Sequence, residues 1–105
     1  MGTDGRWSIS ADTREVVDDA VAVRRQIHMY PEPGFKEVRT ATLVEHKLKS
    51  YGVESRRLCG TGVVALIRGR RPGPTMLVRA DMDGLPVREE SDALYRSRVD
   101  GLMHA

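Results

Sequence analysis

Asp81 and Asp83 stand two apart in the segment Arg79-Ala80-Asp81-Met82-Asp83-Gly84-Leu85-Pro86, and no other side chains of this sequence are better placed for chemistry. They follow an apolar run, Thr75 to Ala80, that reads as a strand. In an α/β sheet the C-terminal strand edge is where sites gather. Carboxylates there can bind a divalent metal, or orient a metal-ligating histidine by hydrogen bonding to it. An Asp-rich loop that only caps and turns the backbone has the same spacing. Spacing alone leaves both readings open. The three histidines, His28, His46 and His104, are too far apart to form a metal motif. His28 falls near the end of a predicted helix, where the dipole favours a protonated imidazole, and a purely structural role is as compatible with that place. His46, among charged neighbours, reads as a surface residue. Cys59 is the single cysteine, which excludes an intramolecular disulfide, and it reads as a buried or idle thiol. Gly60-Thr61-Gly62 lacks the following helix that a phosphate-binding loop requires.

The elements that must position these residues can be read from periodicity. Residues 1–12 read as a flexible tail. A helix is expected from Asp12 or Thr13, with Asp12 as N-cap and Glu15 three residues on, running to about His28 on the stripe Val16, Ala20, Val23, Ile27. Tyr30-Pro31-Glu32-Pro33-Gly34 ends it, because two prolines and a glycine favour an extended turn. A second helix is expected from Lys36 to Tyr51, carrying Val38, Ala41, Val44 and Leu48 on one face, with Glu45 and Lys49 able to pair and Gly52 closing it. Strands are expected at Val53–Leu58, Val63–Arg68 and Thr75–Ala80. The connection Gly69-Arg70-Arg71-Pro72-Gly73-Pro74 is too short for a parallel crossover, so the last two strands are expected to form a hairpin. The order is that of an α/β domain beginning with two N-terminal helices and continuing into a mixed sheet. A sheet apolar on both faces needs more cover than two helices give, so the domain reads as incomplete.

The chain has 105 residues, with 17 Lys and Arg against 15 Asp and Glu and a formal charge of +2. That length sets one domain. The even charge balance, with acidic residues throughout, argues against a nucleic-acid partner, and the basic run Arg68, Arg70, Arg71 has no interleaved aromatics. No apolar segment is long enough to span a bilayer, and Met1 to Asp12 has no apolar core of a signal peptide. A soluble cytoplasmic protein is the expectation.

From about Val16 to Ala105 the sequence resembles the M20 peptidase family, in the amidohydrolase branch of hippurate hydrolases, auxin-conjugate hydrolases and N-acetyldiaminopimelate deacetylases. The resemblance rests on motifs taken in order. These are Arg24-Arg25-Gln26-Ile27-His28; Pro31-Glu32-Pro33-Gly34-Phe35 with Glu37; Gly60-Thr61-Gly62-Val63-Val64; Arg70-Arg71-Pro72-Gly73-Pro74; Arg79 to Pro86 with Glu89-Glu90; and Met103-His104-Ala105. It implies that residues 13–105 form the N-terminal part of a catalytic domain in which two divalent metals (zinc, manganese, nickel or cobalt) activate a water against the amide of an N-acyl amino acid. Asp83 is then the catalytic carboxylate that orients a metal-binding histidine, with Asp81 and His104 as supports of the site loop. The branch's Cys-Gly-His-Asp motif would follow Met103-His104-Ala105 directly. The expectation is therefore that this chain binds no metal by itself, does not hydrolyse amides alone and self-associates through uncovered sheet edges. The alternative is a non-catalytic remnant acting at most as a binding or regulatory protein. Gly84 stands where the resemblance leads one to expect alanine, and Asp100 where proline is common; both are read as loosening the loop.

Overall fold

The computed structural model describes residues 8–105; the start of the expected tail, residues 1–7, lies outside them. Helix α1 spans Ala11–Glu15, α2 Val17–Met29 and α3 Val38–Ser50, followed by strands β1, Ser55–Leu58, and β2, Gly62–Ala65. The first expected helix is thus two. Its cap is Ser10, whose hydroxyl accepts from the Thr13 amide at 3.2 Å, so α1 begins just before Asp12, inside the range assigned to the tail. Val16 breaks the run at φ −102°, ψ −2°. α1 buries no residue, so little apolar packing holds its single turn in line with α2. Asp18 and Asp19 favour the positive N-terminus of α2, and Tyr30, forced away from helical geometry by the following proline, stops it at φ −126°, ψ 62°.

α3 ends in a Schellman motif. The Val53 amide reaches the Leu48 carbonyl and the Gly52 amide reaches Lys49, each at 2.9 Å, while Gly52 takes the left-handed φ of 75° that the motif demands. Gly52 closes the helix as its sequence position suggests. The N-terminus is capped from a distance. Glu37, the residue before the helix, makes no side-chain cap bond, and the Glu32 carboxylate instead accepts from the Arg39 amide at 3.0 Å and from the Thr40 amide and hydroxyl, both at 2.7 Å. Burial pushes the Glu32 pKa up, but these donors outweigh it and leave it lowered.

The described sheet is a two-stranded antiparallel hairpin with Leu58 opposite Gly62 and Ser55 opposite Ala65. The hairpin therefore forms earlier than expected, and Thr75–Ala80 makes no ladder. The reason lies in the turns. Cys59 and Gly60 both adopt positive φ, 53° and 83°, which matches the twist of tight hairpins. A Cβ on Gly62 would fall 2.7 Å from the Leu58 carbonyl oxygen, so only glycine closes the loop there. The 69–74 connection has two prolines, which lack donors, and Met76, Leu77 and Val78 are left 86%, 90% and 83% exposed. Arg57 ties the hairpin to α3, donating from Nε to Glu45 at 2.7 Å and from a terminal nitrogen to Thr42 at 3.1 Å. Glu45 is thus paired with Arg57 rather than with Lys49.

The described residues pack on hydrogen bonds more than on apolar area. Ala41 is the fully buried hydrophobic residue, whereas Glu37, Thr40, Thr61 and Glu89 are buried polar groups. The accessible surface is 9192 Å², against roughly 5,900 Å² for a compact monomer of this size. The radius of gyration is 16.4 Å, against about 13 Å for a compact domain of 100 residues. The apolar faces of α2 and of the 75–80 segment are accordingly open. No helix among the described residues is long and apolar enough to cross a membrane.

Candidate functional site

Three loops meet at the N-terminal end of α3. The turn after α2 brings Gly34 and Phe35, the hairpin brings Cys59 to Gly62, and the segment after residue 80 brings Asp83. Together with Glu37 they line an open cleft of about 300 Å³. Glu37 forms its floor. It is 7% exposed, and its Oε2 accepts from the Thr61 hydroxyl at 2.5 Å. The other Glu37 oxygen and Oδ2 of Asp83 lie 3.7 and 3.9 Å from the point where a side chain on Gly34 would start. Two carboxylates therefore share one small cleft, and the lack of a side chain at Gly34 keeps it open. Asp83 has no hydrogen-bond partner among the described residues, so its carboxylate is free to accept from a group that enters the cleft.

Asp83 is held in place by its neighbour. The Gly84 amide donates to the Glu32 carbonyl at 2.7 Å, and a Cβ on Gly84 would sit 2.8 Å from Cβ of Pro31 and 3.3 Å from Cγ of Leu102. The left-handed glycines are Gly52, Gly60 and Gly101. Gly84 therefore serves close approach and tightens the loop, where the sequence suggested freedom. Just beyond, Leu85 and Met103 exchange both backbone bonds at 2.8 and 2.9 Å, an isolated antiparallel bridge. The Arg98 amide donates to the Met29 carbonyl at 2.8 Å. Residues 84–104 are thereby stitched to the end of α2.

The other two residues singled out in the sequence lie elsewhere. The Asp81 side chain is 69% exposed and pairs with Arg79 at 2.9 Å, outside the cleft. The backbone carbonyl of His104 accepts from His28 Nδ1 at 2.8 Å, and the residue borders an apolar groove of about 690 Å³ between α2 and α3, beside Val23, Ile27, Val44 and Leu48. His28 has a structural place, and His46 is exposed. Glu37, Thr61 and Glu89 figure in the sequence only as landmarks of a resemblance, because their roles depend on contacts 24 to 61 residues away. No group of three or more His, Cys, Asp or Glu side chains among the described residues is arranged to hold a metal ion. The described residues do not by themselves make a metal site.

No family model matches the chain. It is 48% identical over 96 residues to thermostable carboxypeptidase 1 of Saccharolobus solfataricus, covering 90% of this chain and 24% of that protein. It is 42% identical over 92 residues to the N-acyl-L-amino acid amidohydrolase of Geobacillus stearothermophilus, covering 87% and 25%. Among solved structures, a Bacillus subtilis protein described as a dinuclear metal binding peptidase from the M20 family superposes with a TM-score of 0.80 at 35% identity, over 87% of this chain and 26% of that one. The α/β class and the succession of helices and hairpin match that fold. The chain spans about a quarter of the length of the relatives it matches. Along about nine tenths of its own length, the chain is related to the peptidases and amidohydrolases of the M20 family.

Proposed function

We propose that this sequence supplies the Asp83-bearing portion of an amidohydrolase that cleaves the amide of N-acyl amino acids with a metal-activated water, and that these residues alone are inactive. The observation that carries this reading is the Asp83 carboxylate, free of partners among the described residues and opening on the cleft with Glu37. A carboxylate so placed can accept a hydrogen bond from a metal-ligating histidine and fix its tautomer and direction. Thr61 holds Glu37 from behind, leaving one Glu37 oxygen toward the same cleft. The relatives' names support the substrate class: one is an N-acyl-L-amino acid amidohydrolase. The neighbour's description as a dinuclear metal binding protein supports metal dependence. The metal ligands belong, on this reading, to residues other than those described.

The test is release of free amino acid from an N-acyl amino acid by the purified chain, with zinc, manganese, nickel or cobalt added in turn. No release is expected. Metal-dependent turnover free of contaminating full-length enzyme would overturn the inactivity. A second reading, a non-catalytic binding or regulatory protein, is favoured by the same lack of a metal-holding cluster among the described residues. A stable, monomeric chain that folds without metal would support it.

A further inference from the structure

The imidazole of His28 has both nitrogens committed. Nδ1 lies 2.8 Å from the His104 carbonyl oxygen and Nε2 lies 2.8 Å from Oε1 of Glu89. The His28 and Glu89 side chains are 13% and 5% exposed. A carbonyl only accepts, so Nδ1 carries a proton. Glu89 also accepts from the Ser91 hydroxyl and from the Ser97 amide at 2.6 Å. These donors, Ser91 first, hold its carboxyl down to about 2. It is therefore an ionised acceptor facing Nε2. Tyr95 meets the imidazole edge-on at 6.0 Å, and the Arg25 guanidinium stacks over Tyr95 at 4.5 Å.

We propose that His28 is a positioning residue, anchored by Glu89, that clamps the His104 backbone to the last turn of α2. The Leu85–Met103 bridge ends one residue before the clamp, so the clamp fixes the direction in which the chain leaves residue 104. Its use in catalysis rests on the proposed function, under which the metal ligands are residues other than those described. The clamp itself does not, and it is read without metal or substrate.

Nitrogen-15 NMR of the intact chain should show a proton on His28 Nδ1, the nitrogen that faces the His104 carbonyl. A bare Nδ1 overturns the proposal. In His28→Asn, amide exchange at Leu85 and Met103 should accelerate about tenfold or more, as loss of a charge-assisted bond implies, while Gly52 and Val53 at the end of α3 keep their rates. Glu89→Gln retains shape and an acceptor but removes the charge. It should keep the Nδ1 proton and give a smaller acceleration at Met103, which decides the matter if His28→Asn loosens every amide. Unchanged exchange at Met103 in both variants overturns the clamp and leaves the amidohydrolase reading standing. An inactive enzyme with an intact clamp has the opposite meaning.

Discussion

Gly84→Ala is a sharp test of how the candidate loop is held. The added methyl would lie 2.8 Å from Cβ of Pro31 and 3.3 Å from Cγ of Leu102, where carbon atoms prefer about 3.5–4.0 Å. Leu102 can rotate, but Pro31 is a ring atom next to the Glu32 carbonyl that accepts from the Gly84 amide. The loop must then lift by roughly 0.7 Å or more to restore ordinary contact. Overpacking of this kind costs about 1–3 kcal/mol, which is roughly a 5- to 150-fold rise in the open population of the segment. Amide exchange at Leu85 and Met103 reads it directly, because those two amides form the bridge beyond the contact. Gly73→Ala is the control, with nothing within 4 Å of its new atom. Unchanged rates at Leu85 and Met103 in a folded Gly84→Ala chain would refute the close-approach account. The alanine expected at this position from the resemblance makes the outcome informative, since the cost belongs to this chain's own geometry.

Glu32→Ala removes the remote cap of α3 and should destabilise that helix by about 1 kcal/mol, seen as faster exchange at Arg39 and Thr40; equal rates would contradict it. Thr61→Val leaves a buried Glu37 oxygen without its donor, at a cost of about 1–3 kcal/mol, measurable as a lower denaturation midpoint. Glu89 is held from an ordinary 4.5 down to about 2, so its folded pKa is depressed. Its contribution is complete above about pH 4.5 and is lost as pH falls toward 2; a loop over 84–104 that opens between pH 7 and 5 would show the linkage is wrong. The exposed run Met76, Leu77 and Val78 with Leu66 and Ile67 should make the isolated chain self-associate. Sedimentation at increasing concentration checks this, and a concentration-independent monomer would refute it.

The helices were legible because each carries its own local signals, the 3.6-residue stripe and the Pro31 and Gly52 stops. What misled was competition among signals of similar strength. Ser10 and Asp12 are both sound caps, and only the Thr13 amide shows which is used. Cys59 gives no sequence hint of a positive φ, so nothing in the sequence marks the turn at 59–61 as tighter than the one at 69–74. Asp81 and Asp83 are equivalent by spacing. Their separation into an exposed ion pair and a cleft carboxylate comes from Gly84 packing on Pro31, a contact across more than fifty residues. Glu37, Thr61 and Glu89 act through partners 24 to 61 residues away. No periodicity encodes that.

The most direct test of the central claim is a chimera. The stretch of the Geobacillus N-acyl-L-amino acid amidohydrolase that matches this chain over 92 residues would be replaced by the corresponding residues of this sequence, and N-acyl amino acid hydrolysis measured with metal and with chelator. The account predicts metal-dependent turnover in the chimera and its loss, with the fold kept, in the Asp83→Asn form. A folded chimera that hydrolyses equally well with asparagine at that position would contradict it.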